Sequence, residues 1–343
     1  MHAELQKSID ENLEALRKIT NSLFAAKFVA DLTRSMFPLN VQKMMEVLNN
    51  YNNEIVKEAE NLREGAKNRV ESAESGYKNA LMGLGKKKLH VRSYGMSKFV
   101  WHFNQLKGHQ FFVKASDMQD LHKQLSVEQN FSKQLNASGM SEESAIGGMF
   151  AGYGGLGISS FTTGAMLGGG LTMGGLAGMV VFGGLVAGPA LAILGAMSTD
   201  KMKEKLEKAK AYYSQVEKAV KKADTIIDQF QAIEKMAKLF TKQIIKCDAL
   251  FFSLSQDAIA TMKKHNYNRS LYGQEERDQL CVAVSTLMTL SAFLKIPIID
   301  KHQKFQEKAK RALEIMKRQM DSLESRRYDV NMIQSKQKDL ENL

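Results

Sequence analysis

The sequence predicts an all-α protein: an elongated antiparallel bundle of long helices with one Gly-rich apolar helical hairpin. Apolar residues recur at steps of three and four over segments of roughly 40 residues, the spacing of one buried helix face. Only Pro38, Pro189 and Pro297 interrupt a chain of 343 residues, so long helices meet few breakers. A period of two, the mark of a half-buried strand, is suggested only near Phe111 to Val113.

The elements follow in order. Leu5, Ile9, Leu13, Leu16, Ile19 and Leu23 mark an N-terminal helix. After Pro38 the pattern resumes at Val41, Met44, Leu48, Tyr51 and Ile55 and continues through Ala66, Val70 and Tyr77 to Leu81. That spacing predicts a helix of roughly 40 residues, ~60 Å long. Met202, Leu206, Ala209, Val216, Ala223, Phe230, Ala237, Phe240 and Ile244 predict a second long helix, continuing through Leu250. Gln274 to Leu294 is a shorter apolar helix ending near Pro297. Phe305, Ala309, Ala312, Met316, Met320 and Leu323, extended by Ile333 and Leu340, predict one last long helix. The expected organisation is N-terminal helices over 1–143, a hairpin over 144–199, and C-terminal helices over 200–343.

The hairpin expectation rests on composition. The run from Ser144 to Thr199 contains no Asp, Glu, Lys, Arg or His, and most of the chain's 25 glycines lie there. One membrane crossing needs ~20 apolar residues, so the run has room for two and a turn. Gly170, Gly174 and Gly178 fall four apart, as do Gly184 and Gly188, the latter followed by Pro189. On a helix that step lines up small residues on one face, the arrangement that packs helices closely in lipid. In water each such glycine costs roughly 1 kcal/mol against alanine, so the environment must reward close approach. Two readings stay open: a hairpin that enters a membrane, and one permanently buried in a helical bundle.

The charge is also concentrated. The net charge is +11 with a mean hydropathy of −0.30. Residues 75–116 hold no acid and contribute +8 of it, interleaving Lys86, Lys87, Lys88 and Arg92 with Trp101, Phe103 and other aromatics. Basic residues bind an anionic bilayer at about 1 kcal/mol each, and Trp anchors at headgroups, so a lipid surface is the expected partner. Single-stranded nucleic acid, stacking on aromatics above a basic groove, is the weaker alternative. In a third reading the aromatics are ordinary core and the lysines a solvated face.

Enzyme signatures are missing from the sequence. Gly83 to Lys87 lacks the first glycine and the Ser/Thr of a phosphate-binding loop. Gly152 to Gly157 meets the letters of GxGxxG inside a run where glycine is everywhere, with no strand before it. His90, His102, His109 and His122 match no metal-ligand spacing. Two cysteines, Cys247 and Cys281, exclude a disulfide framework and a zinc knuckle, and Cys247 falls on an apolar helix face. No catalytic residue, cofactor or metal is expected. Met1 to Lys18 is charged throughout and reads as no signal peptide, so a soluble form is expected in the cytoplasm or secreted without a leader.

This layout, a helical bundle interrupted once by an uncharged Gly-rich hairpin, resembles the α-helical pore-forming toxins of the haemolysin E and tripartite-enterotoxin type. It is also similar to the colicin and apolipoprotein L pore regions. Locally, the segment from Gly183 to Ala192 and that from Ala292 to Asp300 resemble uncharacterised bacterial helical proteins. The toxin resemblance implies a soluble state and an inserted, homo-oligomeric state that permeabilises membranes, with partner subunits possible. A non-enzymatic, membrane-anchored coiled-coil scaffold is the alternative.

Overall fold

The computed structural model describes residues 41–107, 118–123, 125, 126, 199–298, 307–325 and 330–343. Of these, 92% are helical and none forms a strand, so the chain is an all-α bundle. The expected helix over Leu5–Leu23 and the hairpin positions Gly170, Gly174, Gly178, Gly184, Gly188 and Pro189 lie outside the described residues.

Helix α1, Val41–His90, has 50 residues and runs past the expected end at Leu81 through the lysine cluster. It continues as a π-helical stretch, Val91–Met96, and then as α2, Ser97–Phe103. Helix α3, Thr199–Lys264, has 66 residues and runs beyond the expected end at Leu250. Its buried positions include Leu206, Ala209, Val216, Ala223, Phe230, Ala237, Phe240 and Ile244, the apolar stripe legible in the sequence. Helix α4, Gln274–Lys295, has nearly the bounds read from the sequence. It stops where Ile296 takes an extended conformation, as a residue before proline prefers.

The chain forms two compact units: residues 1–70 with 177–225, and residues 71–176 with 226–343. In the first, Ala59 of α1 shares a core with Tyr212 and Val216 of α3, flanked by Val56, Tyr213 and Val220. The Tyr212 hydroxyl donates to Glu60, which also accepts from Arg63 at 3.2 Å. Further along, Arg69 meets Asp224 at 2.8 Å.

In the second unit Tyr77 stacks on Phe230, with centroids 4.5 Å apart, Lys87 meets Asp248, and Phe99 meets Phe251 edge-on. Partner numbers therefore rise together along α1 and α3 within each unit, and the two longest helices run parallel where an antiparallel order was expected. Periodicity identifies a buried face but carries no direction. Parallel neighbours cannot be joined by a tight turn, and here residues 104–198 make the connection.

Helix α4 does run antiparallel to α3. Phe240 stacks on Phe293 near one end, and Lys264 bonds Glu276 at 2.8 Å near the other. The loop between them turns through Asn266 and Tyr267, both with positive φ. Lys107 is pinned to that loop: its N–H donates to the Tyr267 carbonyl at 2.8 Å, and its carbonyl accepts from Arg269 N–H at 3.2 Å. At the start of α4 the Gly273 N–H donates to Glu276 at 3.1 Å, satisfying one of the free donors of a helix N-terminus.

The expected last long helix is instead two, α5 (Glu307–Glu324) and α6 (Val330–Glu341). Leu323 and Ile333 share one core cluster with Val282 of α4. A continuous helix would hold positions 323 and 333 ~15 Å apart along its axis, whereas here both share one core cluster with the single α4 residue Val282.

Candidate functional site

Among residues 88–93, Lys88, Leu89, Val91, Arg92 and Ser93 are all buried, so this part of the helix is enclosed on most sides. The π stretch lies here. Such wide turns interrupt the regular helical face and recur at functional positions. The Ser97 hydroxyl donates to the Arg92 carbonyl at 2.9 Å, occupying an acceptor in that stretch.

The six residues expected to meet a membrane surface divide into two groups. Lys86 and Trp101 are exposed and Lys87 is partly so, whereas Lys88, Arg92 and Phe103 are buried. Lys88 Nζ donates to the Ile296 carbonyl at 3.1 Å, capping the end of α4. Burial, reinforced by the charge of Arg92, pushes the Lys88 amine down to about 7. Phe103 lies against Phe99, which is wholly buried. In this conformation Lys88, Arg92 and Phe103 belong to the buried interior.

Their neighbours line a groove of about 880 Å³ in the second unit. One wall is the α1–π–α2 helix, with His90, Tyr94, Lys98 and Trp101; the opposite wall is α3, with Ile245, Ala249 and Phe252. His122 and Ser126, from the helical residues 118–123 and 125–126, also line it. Four large apolar side chains stay open to solvent here: Tyr94 at 66%, Phe252 at 57%, Trp101 at 56% and Ile245 at 50% exposed. Single exposed apolar residues are ordinary, whereas these four gather around one groove.

The floor carries an ion pair, Lys87 Nζ to Asp248 Oδ2 at 2.7 Å. Asp248 is the only acid among the described lining residues, and Lys87 balances its charge. Lys98 then leaves the groove net positive, with the imidazoles of His90 and His122 beside it. The Trp101 wall is braced from behind. Trp101 meets the His102 ring edge-on at 4.7 Å, and His102 Nδ1 lies 2.8 Å from the Tyr267 hydroxyl. Burial, with Lys263 and Lys98 adding to it, lowers the His102 pKa.

Ser97 and Ser126 donate to backbone carbonyls, Ser126 to His122 at 2.8 Å, and neither hydroxyl is hydrogen-bonded to a side-chain base. Cys247 is buried, and burial pushes its thiol up to about 12, far from a reactive thiolate. Among the described residues no group of three His, Cys, Asp or Glu could hold a metal ion. Likewise, no helix among them is long and apolar enough to cross a membrane.

The α3 wall is what sequence reasoning missed. Ile245 and Phe252 lie seven residues apart, each beside a position of the buried stripe, Ile244 and Phe251. An apolar pair one helical repeat apart and just off the core face is a legible signal. Its pairing with Tyr94 and Trp101, which stand far earlier in the chain, is not. Fold and site together define an all-α protein with an aromatic-walled groove of net positive charge. No family model, curated protein or solved structure matches the chain.

Proposed function

We propose that this is a membrane-active helical protein that docks on an anionic bilayer and inserts residues 144–199 as a Gly-rich hairpin. The hairpins of several copies then pack through their glycine faces and permeabilise the membrane, as a toxin or a defence effector. The observation that carries this reading is the uncharged run from Ser144 to Thr199 in a chain with 25% charged residues. A segment that spans lipid must satisfy its backbone internally, and the four-residue glycine steps suit helices that do so in close contact. Among the described residues no helix is long and apolar enough to cross a membrane, and the uncharged run lies outside them. The exposed aromatics and positive charge of the groove support a first contact at an anionic surface.

The test is flotation and dye release with phosphatidylglycerol vesicles. The full chain is expected to float and to leak dye, and a chain lacking 145–197 to do neither while keeping its helical circular dichroism. Gly174→Leu with Gly178→Leu is expected to keep flotation and lose leakage. A full chain that neither floats nor leaks dye removes the proposal, and flotation with undiminished leakage in the leucine variant removes its glycine-packing step.

A further inference from the structure

We infer that the groove between the α1–π–α2 helix and α3 is a binding site for a single anionic phospholipid drawn from the bilayer. One of its two acyl chains would run along Tyr94, Trp101, Phe252 and Ile245 while the other stays in the bilayer, and its phosphate would sit at Lys98. This rests on the membrane reading above and adds a defined lipid site to it.

Three observations converge on that ligand. First, the walls are apolar and stay at least half exposed, although they come from helices otherwise packed together by Phe99 and Phe251. Trp101 meets the ring of its neighbour His102 edge-on, and His102 is in turn tied to the Tyr267 hydroxyl. Second, the dimensions suit one chain. From Ile245 to Gln256 the α3 wall runs ~16 Å, and 880 Å³ lies within the usual range for a pocket that encloses one small molecule. Third, the charge is selective. The Lys87–Asp248 pair neutralises the floor, and Lys98 supplies the remaining charge among imidazoles and aromatic edges. A phosphate without a compensating choline complements that arrangement, and a zwitterionic headgroup does so less well.

Trp101 is the only tryptophan, so its fluorescence reports on the groove alone. The full chain is titrated with vesicles of phosphatidylglycerol or phosphatidylcholine whose acyl chains carry bromine, which quenches a nearby indole. Phosphatidylglycerol is expected to shift the emission to the blue and quench it severalfold, with phosphatidylcholine giving little change. Lys98→Glu and Phe252→Ser are each expected to remove most of the quenching, and Lys218→Glu, an exposed lysine of the other unit, to preserve it. Quenching untouched by both groove variants overturns the site, and equal response to the two lipids overturns its selectivity. A blue shift that grows with protein concentration in the absence of lipid makes a second copy the occupant and overturns it also. Quenching by a brominated lysophosphatidylglycerol below its micelle concentration, but not by vesicles, assigns the groove to a soluble amphiphile and overturns the bilayer source. Flotation without Trp101 quenching rejects the lipid site and leaves the membrane reading standing. A chain that neither floats nor quenches rejects both.

Discussion

Lys87 Nζ donates to Asp248 Oδ2 at 2.7 Å, tying α1 to α3 across the floor of the groove. The two side chains are only 22% and 19% exposed, so solvent screens the pair less than an ordinary surface ion pair. Asp248→Asn leaves the Lys87 ammonium partly shielded without a counter-charge. It is expected to lower unfolding stability by about 1–2 kcal/mol, between the values for exposed and fully buried pairs. Urea denaturation followed by circular dichroism measures it. Because the variant makes the floor positive, its affinity for phosphatidylglycerol vesicles is expected to hold or rise, so the stability loss and the binding move independently.

Gly65, Gly76 and Gly83 all sit inside α1, where glycine is unfavourable by roughly 1 kcal/mol relative to alanine. A Cβ at Gly65 or Gly83 meets nothing within 4 Å, so alanine there is expected to stabilise by about 0.5–1 kcal/mol each. At Gly76 the same Cβ would lie 2.7 Å from Glu234 Oε2, a carboxylate that also bonds Lys238 at 2.5 Å. Gly76→Ala must move that side chain and is expected to gain less than the other two. Thermal unfolding of the three single variants checks the order.

The Lys88 amine sits near 7 in the folded chain because burial, then Arg92, disfavours its charge, while in the unfolded chain it titrates near 10.5. Between those values the unfolded state binds more protons, so this group makes stability rise with pH. Below about 7 its unfavourable contribution is fully present and flat. The useful window is pH 7–9, because Tyr77 and Tyr272, held protonated to about 12 by burial, act in the opposite direction above pH 10. Denaturant midpoints are expected to climb across pH 7–9, by at most about 1.4 kcal/mol per pH unit from this group. Lys88→Met is expected to flatten that limb.

Glu276 acts at the other end of the pH scale. Hydrogen bonds from Lys264, then His265 and the Gly273 N–H, hold its carboxyl at about 2. A depressed carboxylate stabilises above its unfolded value of 4.5 and loses that contribution as pH falls toward 2. Glu276→Gln is expected to make acid unfolding less steep between pH 4.5 and 2, read by circular dichroism, and to loosen the α3–α4 turn.

Local physical rules reach some of these features and not others. The buried stripe of α3 was readable because a helical period repeats from Leu206 to Ile244 without a proline. The end of α4 was readable because Pro297 constrains Ile296. The break after Glu324 was not readable, because the apolar spacing of Leu323, Ile333 and Leu340 suits one helix as well as two. Only the shared contact with Val282 separates them. Lys88 and Arg92 read as surface because their charge is visible in the sequence, while their burial comes from the folded chain, Lys88 meeting the Ile296 carbonyl 208 residues later. The groove is legible in part: Trp101 and the lysines announce one wall, and the partner wall exists only once α1 and α3 lie side by side.

The parallel course of α1 and α3 gives the last test. Arg69 and Asp224 meet at 2.8 Å within the first unit. With Cys247 and Cys281 replaced by alanine, Arg69→Cys with Asp224→Cys is expected to cross-link efficiently through a short bismaleimide. Arg69→Cys with Glu204→Cys is expected not to, because position 204 lies ~30 Å back along α3. Cross-linking is read by the mobility of the chain on a denaturing gel and by mass spectrometry of the linked peptides. In an antiparallel pair that keeps Ala59 beside Tyr212, position 69 would face the start of α3 and the two yields would reverse. The direction of one helix against the other is thereby fixed by a measurement independent of side-chain packing.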